Sequence, residues 1–451
     1  MRSIFEISTR GMLSARTSTE ITSNNIANAN TPGYTRRAAV LNEHVQKSGT
    51  TSVGLGVNVT HIDRLRNELI DHQVNRKEHE IGELTEKSAL YRLMETSLNS
   101  TENTGLNNAI NDFFSAFSEL SNNPQDLNLR NILISKADLM AETFRTLDRD
   151  LQGFKTQARQ GTDLKLEKVN ELLQEVASLN KDVAQSRSSS QEDNHALDMK
   201  TRALNDLSKL VEFDTQVNNE GDTEIRIAGI VVVSGQEASR LRAEVDEDAN
   251  AYRIRLPGGK ITDAAKGELA ANRFMFEEGV PEAREQLNTI ASSLIERVNE
   301  IHNSGFGIFD AVQRNFFDAT STNAFNIQIN SALVNNPGHI AASSIAGEAG
   351  NNDNAINITS VQNERFIDNQ TLSTKAIQLM ALAGSKLNEI DVQLESTTAA
   401  RDFLIERQEQ LAGVSIDEEL GNLIRFQNSF QASARVLDTG RKMFDTLLSI
   451  A

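Results

Sequence analysis

Seven histidines and 63 acidic residues are the raw material for metal or acid–base chemistry in this chain, and their spacing does not assemble it. His79-Glu80-Ile81-Gly82-Glu83 begins as a metalloprotease helix would. That helix holds zinc between two histidines on one face, and Glu83 stands where the second is needed. His72 and His79 lie about two turns apart, too far to share an ion unaided, and read as helix surface. Gly54-Leu55-Gly56 and Gly305-Phe306-Gly307 lack the third glycine and the strand-to-helix setting of a dinucleotide loop. Gly258-Gly259-Lys260 has Ile254 where a phosphate loop requires its first glycine. All three read as turns. Acidic pairs such as Glu277-Glu278 and Glu418-Glu419 are ordinary in so acidic a chain, and Asp417, Glu418 and Glu419 suit the first turn of a helix, where the macrodipole favours negative charge. With no cysteine, thiol nucleophiles, disulfides and cysteine-based zinc sites are excluded. No catalytic, cofactor-binding or metal-ligating residue emerges, so the chain reads as a non-enzyme without cofactors.

The 451 residues allow two to four domains and a sizeable core. There is no Trp and only three Tyr, so packing is expected from Leu, Ile, Val and Ala on helices and not from aromatic clusters. A net charge of −18 argues against a nucleic-acid binder, which gains affinity by displacing counterions with a basic face. Arg36-Arg37 and Arg441-Lys442 read as solvated faces or subunit contacts. Met1 to Ala15 is interrupted by Glu6 and Arg10 and lacks the apolar run of a secretory signal. No span approaches the roughly 18 apolar residues of a membrane helix. The expectation is a protein off the membrane that, if exported, uses no cleaved signal.

Apolar positions three and four apart predict helices. One stripe runs through Ile70, Val74, Ile81, Leu84, Tyr91, Met94 and Leu98, and another through Leu166, Val169, Leu173, Val176 and Val183. A third, Leu287, Ala291, Leu294, Val298 and Ile301, follows Pro281 and stops at Asn303-Ser304-Gly305. Pro124 and Pro281 are expected in first helical turns, where the missing N–H is no loss. Between about Glu212 and Phe276 the period becomes two. Ile225 and Ile227 face Ile230 to Val233 across an Ala228-Gly229 turn, and Tyr252, Ile254 and Leu256 alternate with arginines before Pro257-Gly258-Gly259-Lys260 turns. This predicts a small, mostly β insertion between helical segments. From Asn303 to Asn363 the chain is rich in Asn, Ser, Gly and Ala and reads as loops and turns.

The two ends are the most informative. Ile416, Leu420, Leu423, Gln427, Phe430, Ala434, Leu437, Arg441, Phe444, Leu448 and Ala451 define a stripe on a rod of about 50 Å, too one-sided to stand alone in water. The first thirty residues carry a thinner one: Phe5, Met12, Ala15, Ile26 and Ala29, with Ile4, Ile7, Gly11 and Ile21 close by. So little apolar area, at about 25 cal/mol per Å², makes this segment marginal in a monomer and open to ordering by an assembly. The segment Asn24-Asn25-Ile26-Ala27-Asn28-Ala29-Asn30-Thr31-Pro32-Gly33-Tyr34-Thr35-Arg36 is a helix stop and reversal. Asn side chains compete for their own backbone, Thr31 before proline is extended, and Pro32-Gly33 suits the centre of a type II turn.

That segment resembles the N-terminal signature of the flagellar axial family of rod, hook and hook-associated proteins, with Asn25, Asn28, Asn30, Thr31, Pro32, Gly33 and Tyr34 carrying the motif. Gly413-Val414-Ser415-Ile416-Asp417-Glu418-Glu419-Leu420, with Asn422 to Gln427 and Gln431 to Leu437, is similar to the same family's C-terminal helix. Intermediate stretches, Phe117 to Pro124, Leu204 to Ser208 and Val298 to Gly305, resemble the hook-associated members, so the likeness spans almost the whole chain.

The resemblance implies a structural subunit of the bacterial flagellum at the hook–filament junction. It further implies export unfolded through the flagellar type III apparatus to an extracellular position, and a ring of about eleven copies of itself. Its partners would be hook protein below, a second hook-associated protein above, and a cytoplasmic export chaperone on the C-terminal region before secretion. No nucleic acid or membrane is implied. The alternative is a hook or distal-rod protein, which shares only the ends and should lack the helical block around 65–210. An enzyme on a helical scaffold is a third reading.

The expected fold is mainly α. Terminal helices pair as a coiled coil over 1–60 with 400–451, a discontinuous long-helix bundle spans 61–211 with 277–399, and a small β domain is inserted at 212–276. The β segment is sized for one outer domain, where some longer relatives have two. The expected subunit contacts are Ile4, Phe5, Ile7, Met12, Ile21, Ile26, Ile416, Leu420, Leu423, Phe430, Ala434, Leu437, Phe444 and Leu448 on the terminal helices.

Overall fold

The computed structural model describes residues 2–31, 33–48, 51–98, 105–188, 193–218, 222–246, 251–263 and 266–450. Pro32 of the motif and Ala451 of the C-terminal stripe lie outside the described residues. The helices are α1 (Arg2–Ala27), α2 (Glu68–Leu98), α3 (Leu106–Asn122), α4 (Leu127–Ser188), α5 (Asn194–Leu210), α6 (Glu268–Phe274), α7 (Val280–His302), α8 (Ser331–Asn335), α9 (Asp353–Ser360), α10 (Leu372–Ala412) and α11 (Ile416–Ile450). The strands are β1 (Arg37–Ser48), β2 (Thr51–Arg64), β3 (Asp214–Val217), β4 (Thr223–Ile227), β5 (Ile230–Ser234), β6 (Glu237–Ala238), β7 (Arg242–Asp246), β8 (Ala251–Arg255) and β9 (Ile261–Thr262). The fold is mainly α, with α1 and α11 paired lengthwise.

Two cores form, and α4 belongs to both. Its first half, from Leu133 to Ala158, packs with α2, α3, α7, the start of α10 and the irregular segment between α7 and α10. Its second half, from Leu166 to Ala177, packs with α5, β4, β5, β8 and α6. The β insertion therefore has no closed core of its own. Its sheets, β3-β4-β5-β6 and β7-β8-β9, are antiparallel and bury their apolar faces on α4 and α5. At the β4–β5 turn both Ala228 (φ 48) and Gly229 (φ 76) are left-handed, as a twist-matched two-residue hairpin requires.

Several sequence expectations are corrected. The first core does contain an aromatic cluster: Phe113 lies 5.1 Å from Phe114, 5.2 Å from Phe117 and 5.5 Å from Phe316, centroid to centroid, all edge-on. One face of α3 gathers three of these rings, and the Asn-rich segment after α7 folds over them with Phe316 and Phe317. Pro124 lies in the turn before α4, because Asp126 Oδ1 accepts the Asn128 N–H at 2.7 Å and sets the helix start at Leu127. Pro281 does stand in the first turn of α7. His79 is buried, its Nδ1 hydrogen-bonded to Ser208 O and its ring edge-on to Phe213, and burial lowers its pKa. Close approach of α5 explains this: a Cβ at Gly82, one turn on, would collide with Lys209 O. Strands β1 and β2 form an antiparallel ribbon, interrupted by bulges near Val40 and Glu43.

His302 closes the first core. Its Nδ1 donates to Arg314 O at 2.6 Å and its Nε2 accepts the Ala341 N–H at 2.9 Å, so the neutral ring satisfies both partners. Burial, with the Arg130 and Arg314 charges, pushes its pKa from 6.5 down to about 4. A depressed folded pKa means the unfolded chain binds the proton first. The neutral ring's contribution is present above pH 6.5 and lost as pH falls from 6.5 through about 4, roughly 3 kcal/mol in all. Urea unfolding of wild type and His302→Gln across that window should show a steeper decline in the wild type; parallel curves would refute it.

Candidate assembly interface

The α1–α11 pair is antiparallel and in step. A Cβ at Gly440 would lie 3.1 Å from Ile4, and one at Gly11 would lie 2.7 Å from Ser433 Oγ. Farther along, Asn25 Nδ2 donates to Glu419 Oε2 at 3.0 Å. Every advance along α1 is matched by an equal retreat along α11. The seam of α1 is made of Ser8, Gly11, Ala15, Ser18, Thr22 and Asn25, at alternating spacings of about three and four; all but Gly11 are buried. Such small side chains let the helices approach closely but bury little apolar area.

A second face of α1 rests on the ribbon: Ser14 Oγ donates to Val57 O at 2.9 Å and Arg10 to Asn58 Oδ1 at 3.0 Å. Ile21 is buried, Ile4, Phe5, Met12 and Ile26 are half-buried, and Ile7 is exposed. On α11, Leu423, Ala434 and Leu437 are half-buried against α1. Ile416, Leu420, Phe430 and Phe444 stay exposed, and Leu448 is 62% exposed. Leu13, Ile424, Val436, Met443 and Leu447 are exposed as well, although the sequence stripes omit them. Scattered exposed apolar residues are normal, whereas so many along one helix mark a binding surface.

The pair is anchored at one end by the Asn-rich motif. Asn25 uses all four hydrogen-bonding positions. Its Nδ2 donates to Arg37 O (2.9 Å) and to Glu419, and its Oδ1 accepts from Tyr34 Oη (2.8 Å) and the Arg37 N–H (3.1 Å). Glu419, 2% exposed, also accepts from Arg36 Nε at 2.9 Å and pairs with its second nitrogen at 2.7 Å. Burial works against the Arg36 charge, the Glu418 and Glu419 carboxylates more than offset it, and its pKa is raised. Thr31 O accepts the Tyr34 N–H at 3.1 Å around Gly33, whose φ of 76 needs a glycine. Asn28 Nδ2 bonds back to Asn24 O, and Thr31 Oγ1 donates to Asn28 Oδ1. Asn30 is exposed and Tyr34 half-buried.

The arginine pair read as a solvated face or subunit contact is thus an intramolecular hub. Arg37 reaches Asp198 Oδ2 on α5 at 2.8 Å, and Arg64 reaches Asp198 Oδ1 at 2.6 Å. Arg66 donates to Thr201 at 2.6 Å and pairs with Asp71. None of Arg64, Asp198 or Glu419 is singled out by the sequence reading as a contact residue, and Arg36 is singled out only as a solvated face or subunit contact. Charged residues far apart in the chain carry no periodic signal, and the one available clue was a carboxylate one turn before Leu423 on the buried side of α11.

Three family models match this chain: the flagellar hook-associated protein FlgK helical domain over residues 91–317, the flagella basal body rod protein over 5–35, and the flagellar basal body rod FlgEFG protein C-terminal over 410–450. The chain is 26% identical to flagellar hook-associated protein 1 of Bacillus subtilis, covering 98% of this chain and 97% of that protein. It is 22% identical to the Salmonella typhimurium protein of the same name and 21% to the Escherichia coli one, each over the full length of both chains. The solved structure of the flagellar hook junction protein FlgK from Burkholderia pseudomallei shares the fold, with a TM-score of 0.66 over 75% of this chain and 99% of that one, at 12% identity.

Proposed function

This chain belongs to the flagellar hook-associated protein family, and from that membership we propose that it forms the junction between hook and filament of the bacterial flagellum. It is a structural component of the flagellum that assembles with itself and other flagellar components. The observation that carries the reading is the match of 91–317 to the hook-associated helical domain, between ends matching rod-type models over 5–35 and 410–450. A hook or distal-rod protein would account for the two ends and leave the helical block without a role.

Its work in this reading is packing and not catalysis. The exposed apolar residues of α11, with Ile4, Phe5, Ile7, Met12 and Ile26 of α1, form the subunit contact, whereas Ile21 is already buried within the chain. A ring of about eleven copies buries it, since head-to-tail contacts close into rings when the rotation allows. The chain divides into a terminal domain (1–60 with 400–451 by sequence, its edges falling at the connectors 65–67 and 413–415), a helical rod (61–211 with 277–399) and a β insertion (212–276). Hook protein lies on one side and a second hook-associated protein on the other. The chain leaves the cell unfolded through the flagellar type III apparatus, after a cytoplasmic chaperone has held its C-terminal region. No helix among the described residues is long and apolar enough to cross a membrane. A strain lacking the gene should carry hooks without filaments and shed filament subunit into the medium. Normal filaments in that strain would end the reading.

A further inference from the structure

Two sets of elements pack within themselves and scarcely against each other. α1, β1, β2 and α11 form one set, and no member packs extensively against α2, α5 or α10 among the described residues. The chain passes between the sets twice, through the non-helical connectors 65–67 and 413–415. Two three-residue connectors side by side leave a hinge. In many proteins a few such residues at element ends absorb the backbone rotation of a domain movement.

Side chains span this hinge. Asp198 on α5 gives one carboxylate oxygen to Arg37 at the start of β1 and the other to Arg64 at the end of β2. The two arginines are cross-strand partners in the ribbon. Asp198 is buried, and both arginines leave a buried Nε without a hydrogen-bond partner. Two like charges held side by side in a poorly hydrated place are tolerable only with the carboxylate between them. Thr201, one turn along α5, takes Arg66, and the Arg202 side chain lies against Gly33.

We propose that Asp198 is a positioning residue that fixes the angle at which the α1–α11 pair is presented to its partners. It clamps Arg37 and Arg64 across a hinge that backbone packing alone does not hold. The contacts that build each side do not include it: the α1–α11 seam runs through Glu419 and Asn25, and the second core runs through α4, α5 and the β sheets. Without the carboxylate the arginines repel, and each side should stay folded while their mutual orientation loosens.

Because the chain has no cysteine, nitroxide labels on Ser429→Cys in α11 and Lys181→Cys in α4 report the inter-set distance in the full-length protein. In Asp198→Asn the distance distribution should broaden by roughly a factor of two or more, with the thermal midpoint and circular dichroism of the parent retained. Arg37→Gln, which leaves Arg64 on the carboxylate, should broaden it less. An unchanged distribution in Asp198→Asn overturns the proposal. So does broadening that appears only together with melting of the helical core in both variants. Junction assembly is tested separately by the deletion strain, so either idea can fail alone.

Discussion

Replacing Arg130 with methionine is expected to lower the unfolding free energy by about 3–5 kcal/mol. Arg130 is fully buried near the start of α4. Its guanidinium donates twice to Pro124 O, at 3.0 and 2.7 Å, and also to Ile340 O at 2.7 Å and Pro337 O at 3.2 Å. It thereby ties the α3–α4 turn to the turn at Pro337, and its hydrogen bonds run to backbone carbonyls and not to a carboxylate. Burial pushes its pKa down to about 10, so holding the cation costs energy. That cost is offset by charge-assisted hydrogen bonds worth about 1.5–3 kcal/mol each; Ile340 O and Pro337 O also accept the Ala342 and Ile340 N–H groups, at 3.0 and 3.2 Å, whereas Pro124 O depends on Arg130. Methionine removes the charge together with those bonds and strands Pro124 O, so destabilisation wins. Lysine keeps the charge but cannot fork to both turns, and should recover less than half of the loss. Urea unfolding of both variants checks the order; a methionine variant within about 1 kcal/mol of wild type, the ordinary cost of a point substitution, would show that Pro124 O finds another donor.

The second large effect is expected at Glu419. Glu419→Gln keeps the shape but leaves Arg36 only the exposed Glu418 carboxylate, 3.0 Å away, and loosens Asn25, at about 3 kcal/mol, the low end for breaking a buried pair. The small-residue seam contributes little to replace it. Amide exchange of segments 18–27 and 416–427 should accelerate by about two orders of magnitude, roughly the same energy as a rate ratio, while α3 and α7 are unaffected. In cells the variant should leave most hooks without filaments. Replacing Arg36 and Glu419 together by methionine should restore part of the protection, because no buried charge then lacks its partner. Unaltered exchange at both segments in Glu419→Gln would remove the hub from its anchoring role.

The sequence made some of this legible and hid the rest for physical reasons. The stripes from Leu166 to Val183 and from Leu287 to Val298 are buried along their length because a helix with one face on a core must repeat every 3.6 residues. The β4–β5 hairpin was equally readable from its alternation and its Ala228-Gly229 turn. The ribbon at 37–64 was not. Its bulges shift the register, and Gly54 and Gly56 weaken the alternation, the latter because it lies against Ile7. The seam of α1, being Ser, Gly, Ala, Thr and Asn, showed to a hydrophobic template only through Ala15 and the neighbouring Gly11. The thin stripe of Phe5, Met12 and Ile26 flanks that seam. The hub joins residues 383 positions apart, and nothing local announces such a pair.

The shared helix α4 has a mechanical consequence. Its 62 residues span roughly 93 Å without a break, with one end fixed in each core. Two bodies joined by a flexible linker would separate under tension before either yielded. Here the load path runs through a continuous ladder of helical bonds that packing supports on both sides, so a pull from end to end meets a stiff bar with no slack to take up. A twist applied to one core is therefore passed to the other with little lag.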